Sequence, residues 1–106
     1  MRIPVDAIIP AEKLINYLLF SRQKNDKSGF LAQVGFTAKN PDDLETAIRN
    51  LIAENDAIAD RHNEYGTFFR VEGELRGPYG ILSVVTVWIL RTIDGQYRFV
   101  TLKPRR

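Results

Sequence analysis

Residues 82–90 read Leu-Ser-Val-Val-Thr-Val-Trp-Ile-Leu, a run that is rich in β-branched side chains and apolar on both of its alternating faces. Such a run is typical of a central β-strand that is covered on both sides or nearly so. Residues 77–80 before it (Gly-Pro-Tyr-Gly) form a turn sequence, and Asp94-Gly95 after it is a strong signal for a hairpin with a two-residue turn. Since residues 67–75 and 96–103 alternate with a period of two, the stretch predicts the middle of an antiparallel meander.

The apolar residues before residue 64 have helical spacing instead. Residues 1–9 predict an extended arm, and residues 11–20 predict a first helix. A short second helix is expected from a cap at Asp26 to Gly35. The sequence Asn-Pro-Asp-Asp at residue 40 predicts the start of the clearest amphipathic helix, which we expect to continue to about residue 60. The apolar positions of this helix are Leu44, Ala47, Ile48, Leu51, Ile52 and Ile58.

The order of these elements, helices first and strands afterwards, predicts the fold class. It indicates an α+β domain in which two to three N-terminal helices pack on one face of a three- to four-stranded antiparallel β-meander. The chain has 106 residues, which suits a single domain over residues 1–106.

The composition excludes several kinds of chemistry. The chain has no cysteine and one histidine, so disulfides, thiolate catalysis, cysteine–zinc sites and a two-histidine metal site are excluded. Its apolar runs are short, which predicts no membrane span. We therefore expect a cytoplasmic domain without a metal or a cofactor.

The net charge of +2 is unevenly distributed along the chain. Residues 42–64 carry a net charge of −5. Residues 65–106 carry a net charge of +4, and residues 22–39 carry a net charge of +3. If the two basic segments share a face, that face suits phosphates. The alternative is that both signs are scattered over a solvated surface.

One helical layer covers only one face of the sheet, so the other face is open. The set Ser83, Val85, Val87 and Ile89 is the purer hydrocarbon and is expected to face the helices. The other set, which includes Thr86 and Trp88, is then expected on the open face, where Trp88 would stack on a base or sugar. The alternative is a core tryptophan whose N–H is satisfied.

Further candidate residues carry positive charge or a hydroxyl. Arg70 lies mid-strand, and its planar fork suits a phosphate, although it also suits an ion pair with a neighbouring glutamate. Thr101 and Lys103 place a hydroxyl beside a cation at the end of the last strand. Lys27, near a helix start, would meet an anion together with backbone N–H groups.

His62 is a candidate proton shuttle beside Glu64 and Tyr65. Gly66, in the same loop-to-strand segment, would allow a ligand to approach closely. Most solitary loop histidines have no such role.

The run of elements from Leu14 to Pro104 also resembles a bacterial domain family without an assigned activity. Its members occur alone or as the C-terminal module of phage head-morphogenesis and polymorphic-toxin proteins, and standalone members often lie beside a small companion gene, as toxin–antitoxin pairs do. The residues that carry the resemblance are Lys13-Leu14…Tyr17-Leu18-Leu19, Asn25-Asp26-Lys27-Ser28…Phe30, Gly35-Phe36, Glu64-Tyr65-Gly66-Thr67…Arg70-Val71, Gly77-Pro78…Gly80, Val85-Thr86-Val87-Trp88-Ile89 and Phe99-Val100-Thr101…Pro104.

The architecture is similar to that of the barnase–colicin–RelE class of small ribonucleases. This resemblance implies a toxin-like, metal-independent ribonuclease. It would use Lys27, Arg70, Thr86 and Thr101 as catalytic residues and Tyr65, Trp88 and Lys103 as substrate-binding residues. His62 is not part of the pattern.

A non-catalytic interaction module is the alternative function. It would bind a protein through the open sheet face, as an antitoxin-like or immunity-like partner or as a building block of a dimer. The resemblance implies a small companion protein that is encoded nearby, with RNA as a further partner. An unpaired edge strand at residues 67–75 or 96–103 would favour a homodimer by sheet extension.

Overall fold

The computed structural model describes residues 1–19 and 28–105. Three helical segments precede four strands, and the predicted α+β class is confirmed. The sheet is antiparallel throughout, with the strands side by side in chain order. The segments are α1 (Lys13–Leu18, which has π-helical hydrogen bonding), α2 (Ser28–Ala32), α3 (Pro41–Glu54), β1 (Ile58–Asn63), β2 (Gly66–Gly77), β3 (Gly80–Arg91) and β4 (Tyr97–Pro104).

Helix α3 supplies most of the helical side of the core. Its five predicted apolar residues from Leu44 to Ile52 are all buried. Asn40 precedes the helix, but its side chain makes no cap bond, because its Oδ1 instead accepts the N–H of Thr37 at 2.7 Å. The expected continuation to Asp60 is wrong: Asn55 adopts an extended backbone, and Ile58 begins β1 with half of its surface exposed.

The two faces of β3 are opposite to the expectation. Val84, Thr86 and Trp88 are fully buried toward the helices, whereas Val85, Val87 and Ile89 are half-buried on the other face. Ranking the two sets by hydrocarbon content therefore gave the wrong face. The polar atoms of the buried set satisfy each other, which removes the cost of burying them.

A short hydrogen-bond chain holds this buried set. The indole Nε1 of Trp88 donates to Thr86 Oγ1 at 2.9 Å, and Thr86 Oγ1 donates to the carbonyl of Val71 at 3.1 Å. The indole also meets Phe99 edge to face, with the ring centroids 5.3 Å apart. Trp88 is thus the core tryptophan of the alternative interpretation.

An exposed edge strand and a bulge explain the remaining differences from the sequence pattern. β1 was not predicted, because all six of its residues are exposed and carry no apolar alternation. In β4, Phe99 pairs with Trp88 but Thr101 pairs with Val87, so Val100 is an extra residue in a bulge. The bulge puts both Phe99 and Leu102 in the core, where strict alternation predicts opposite faces.

The N-terminal arm lies along the outer edge of β4. The N–H of Ile8 donates to the carbonyl of Tyr97 at 2.9 Å, and the N–H of Phe99 donates to the carbonyl of Ile8 at 2.8 Å. Arg49 of α3 holds the arm from the other side, since one Nη donates to the carbonyls of Val5 and Ala7. The expected edge strand at residues 96–103 is therefore an edge that the arm partly covers.

Candidate functional site

The face of the sheet opposite the helices is the candidate site, and we call it the open face. Its side chains are ordered in rows across the strands by the register of β2, β3 and β4. The three central rows are Phe68–Ile89–Arg98, Arg70–Val87–Thr101 and Glu72–Val85–Lys103.

An aliphatic stripe lies along the middle of the open face. Val85, Val87 and Ile89 alternate with the buried residues of β3 and point away from the helices. All three are half-buried. With a rise of about 3.3 Å per residue, the stripe is roughly 13 Å long.

Basic side chains flank the stripe on both sides. Arg61, which pairs with Phe68 across the sheet, lies over the Phe68 ring at 4.4 Å from its centroid, a cation–π contact. On the other side, Arg98 and Lys103 make no ion pair with any residue that the structure describes. Within residues 1–19 and 28–105, Nε of Arg98 is also the one buried side-chain nitrogen or oxygen without a hydrogen-bond partner.

Glu72 neutralises part of this positive charge. Its carboxylate lies 3.9 Å from Nε of Arg70 and 3.2 Å from Nε of Arg105. Because both arginines are about half exposed, each ion pair contributes little stability. The nearby carboxylate of Glu72 disfavours a bound phosphate at Arg70.

The structure brings together three of the predicted site residues. Arg70, Thr101 and Lys103 all lie on the open face, with Arg70 and Thr101 on either side of Val87. Thr86 and Trp88 lie on the other face and are fully buried, so their expected position beside these three is wrong. Lys27 lies outside the described residues.

Tyr65 lies at one end of the open face, in the turn between β1 and β2. Tyr65 is about two-thirds exposed, and Ile93 in the neighbouring turn is exposed over most of its surface. The carbonyl of Tyr65 accepts the N–H of Thr92 at 3.0 Å, which joins the two turns. Together with Ile89 they line a shallow apolar depression at the end of the aliphatic stripe.

His62 lies in β1 rather than in a loop. Its Nδ1 is 2.8 Å from the hydroxyl of Thr67, its cross-strand neighbour. This is the ordinary contact of two polar side chains that face each other across a pair of strands.

Sequence reasoning missed Arg61, Phe68 and Arg98 as members of the site. A two-residue turn at Asp94-Gly95 would pair Arg98 with Arg91, but the turn in the structure is longer and pairs Arg98 with Ile89 instead. For Arg61 no signal exists, because nothing in the polar sequence of β1 indicates a strand.

Within residues 1–19 and 28–105, no group of three or more His, Asp or Glu side chains is arranged to hold a metal ion. No helix in the same residues is long and apolar enough to span a membrane.

The chain belongs to the family described as domain of unknown function (DUF6883), whose family model matches residues 5–106. This match confirms the coarse part of the resemblance, membership of a family without an assigned activity. No curated protein and no solved structure matches the chain.

Proposed function

We propose that this DUF6883 domain is a non-catalytic interaction module whose open face binds an amphipathic helix with acidic flanks on a partner protein. The observation that carries the proposal is the aliphatic stripe of Val85, Val87 and Ile89 between basic side chains, on a sheet face opposite the helical layer. In two-layer architectures an apolar sheet face is normally covered by helices. A helix supplied by a partner would cover the second face of the sheet and add a third layer.

The charge of the face favours an acidic partner. Among the described residues, the four cross-strand rows that contain Ile89, Val87, Val85 and Ser83 hold five basic and two acidic side chains, a net charge of +3. The most important of these are Arg98 and Lys103, which have no ion-pair partner among the described residues. Opposite charges on the flanks of a helix speed association and fix its orientation. The residues counted are Arg61, Arg70, Arg98, Lys103 and Arg105 against Glu72 and Glu74.

The surface chemistry favours protein over RNA. Sheets that bind single-stranded RNA present aromatic rings for stacking on bases. Here the centre of the face is aliphatic, and Arg61 already lies over the ring of Phe68. The carboxylates of Glu72 and Glu74 on the same face would repel a phosphate backbone.

The small companion protein that the resemblance implies is the natural candidate for the partner. We expect it to contain a helix with aliphatic residues at i, i+3, i+4 and i+7 and with Asp or Glu beside them. This proposal is compatible with either half of a toxin–antitoxin pair, because it assigns a surface rather than a reaction.

A toxin-like ribonuclease is the second candidate function. The observation that favours it is that Arg70 and Thr101 flank Val87, with Lys103 in the next row. Tightly induced expression in a bacterial host tests it: growth arrest with new RNA fragments that Arg70→Ala and Thr101→Ala relieve would support this candidate. Normal growth with intact RNA at high expression would exclude it.

The interaction module is tested with two synthetic helical peptides of 18 residues. Both carry leucine at i, i+3, i+4 and i+7; one has glutamate on its flanks and the other has lysine. We expect the glutamate peptide to bind at least about tenfold more tightly, a difference of about 1.4 kcal/mol. Its affinity should also fall as the salt concentration rises.

Three variants locate the binding on the molecule. Arg98→Glu and Lys103→Glu should each weaken the binding of the glutamate peptide, whereas Lys39→Glu makes the same charge change in the exposed loop before α3 and should leave it unchanged. Equal binding of both peptides would contradict the proposal. So would tighter binding of a labelled 12-nucleotide uridine RNA than of the glutamate peptide.

A further inference from the structure

The outer edge of β2 is covered by a neighbouring strand over only part of its length. β1 pairs with β2 from Gly66 to Arg70, where Ile58 is its last partner. β2 itself continues to Gly77. Residues 71–77 therefore have a strand partner on the β3 side and none on the other side among residues 1–19 and 28–105.

The direction of the backbone groups along this edge follows from one hydrogen bond. Thr86 of β3 donates its hydroxyl to the carbonyl of Val71, so that carbonyl points toward β3. Successive residues of an antiparallel strand point their N–H and C=O to opposite neighbours. The N–H and C=O groups of Glu72, Glu74 and Arg76 therefore point to the outer edge. In the described chain, no backbone hydrogen bond outside the helices and strands involves these three residues.

A polar groove lies beside this edge. The end of α3 forms its other wall, and the Asn55 side chain lies so close to Gly73 that a Cβ on Gly73 would be 2.6 Å from its Nδ2. The residues that line the groove are Glu54, Asn55, Glu72, Gly73, Glu74, Arg76 and Arg105.

The two outermost edges of the sheet are protected, which sets the β2 edge apart. The arm at Ile8 covers the edge of β4 from Tyr97 to Phe99. The edge of β1 is short and charged, and the register shifts at Asp60. These are the features by which natural sheets avoid pairing with other chains.

We propose that the β2 edge from Glu72 to Arg76 accepts an extended segment of a partner protein, which adds a strand in line with β1 and carries a lysine or arginine opposite Glu74. Glu72 is already paired with two arginines, and Glu54 with Arg76. Glu74 is exposed and makes no ion pair with a described residue. A basic side chain across the strand pair would therefore have its partner in Glu74.

The same charge argues against a second copy of this chain at the edge. Antiparallel pairing of two β2 edges about a two-fold axis at Glu74 would bring the two Glu74 carboxylates face to face. Like charges directly opposite each other destabilise a strand pair.

The proposal concerns the backbone edge of β2 rather than the aliphatic stripe, although Glu72, Glu74 and Arg105 border both surfaces, and it is tested separately. A display library of linear seven-residue peptides is selected on the immobilised protein, and the enriched sequence is synthesised. We expect it to be rich in β-branched residues and to contain a central lysine or arginine. In amide hydrogen exchange it should slow the N–H groups of Glu72, Glu74 and Arg76, and leave Val71, Gly73 and Leu75 unchanged, an alternation that only strand addition produces.

Two variants of Glu74 distinguish the contribution of its backbone to peptide binding from that of its side chain. Glu74→Pro removes a single N–H that points to the outer edge, and proline is tolerated at such a position. The substitution should weaken peptide binding about tenfold or more, because one hydrogen bond is lost and the adjacent one is disturbed. Glu74→Lys keeps the backbone and should reverse the preference from basic to acidic peptides. Circular dichroism confirms that both variants fold.

Several results would overturn the proposal. These are no enriched peptide, binding that Glu74→Pro leaves intact, and protection of the β2 edge that rises with protein concentration in the absence of peptide. The last result would indicate a second copy of the chain at the edge. Failure here would leave the open-face helix test unaffected, because Arg98 and Lys103 do not line this groove.

Discussion

The indole N–H of Trp88 donates a hydrogen bond of 2.9 Å to the hydroxyl of Thr86, two residues earlier on the same face of β3. Both residues have no exposed surface. This bond allows two polar groups to lie against the helices, and it thereby turns Val85, Val87 and Ile89 to the open face.

Removing the hydroxyl of Thr86 should destabilise the fold. Thr86→Val leaves the indole N–H buried without an acceptor, so we expect a loss of about 1 to 3 kcal/mol in the free energy of unfolding. Urea denaturation measures it. Thr92→Val, in an exposed turn, is the control and should change little.

A double-mutant cycle tests whether that loss belongs to the Trp88–Thr86 bond. Trp88→Phe removes the donor, so Thr86→Val should be less costly in the Trp88→Phe background than in the natural protein. Strict additivity of the two substitutions would show that the bond does not determine the stability of this face.

The entry to β2 depends on a glycine. Gly66 has φ +151, and a Cβ there would lie 2.1 Å from the carbonyl oxygen of Leu90, so both conformation and space exclude a side chain. Gly66→Ala should destabilise the protein by more than about 2 kcal/mol.

Two other glycines are matched controls for that substitution. Gly95 has φ +67 but no neighbour within 4 Å, so Gly95→Ala should cost about 1 to 2 kcal/mol for its backbone conformation alone. Gly29, in α2, has neither restriction, and Gly29→Ala should be neutral or stabilising. Any other order of the three thermal midpoints would contradict the structural assignment.

Arg49 should determine whether the N-terminal arm stays on β4. Arg49→Met removes the donors to the carbonyls of Val5 and Ala7, so the N–H groups of Ile8 and Phe99 should exchange faster with solvent. Glu45→Gln removes only the ion pair of Arg49 with Glu45 and should leave this exchange unchanged. Equal exchange in the two variants would mean that the arm is held by its apolar contacts alone.

The predictable parts of the fold are those in which local pattern and tertiary packing agree. The spacing of Leu44 to Ile52 identifies α3 and its buried side, and the Gly-Pro-Tyr-Gly and Asp-Gly turns identify both hairpins. β1 has no apolar pattern, because an exposed edge strand buries nothing. It forms through its backbone pairing with β2 and the cross-strand contacts of His62 and Arg61.

The candidate site was only partly predictable for a related reason. The position of Arg70 follows from alternation along β2, where its neighbours Phe69 and Val71 are buried. Thr101 and Lys103 lie on the open face only because the bulge at Val100 breaks the alternation that would put them on the same face as Phe99. The position of Thr86 and Trp88 depends on a hydrogen bond between side chains, which a scale of hydrophobicity does not contain.

The most direct test of the proposed function is the position at which the glutamate-flanked helical peptide binds. Methyl resonances of Val85, Val87 and Ile89 report on the open face, whereas those of Val71 and Val84, fully buried toward the helices, are the internal reference. We predict that the peptide shifts the first group at low salt and leaves the second group unchanged. Shifts confined to any other surface, or no shift at millimolar peptide, would contradict the assignment of the open face as the binding surface.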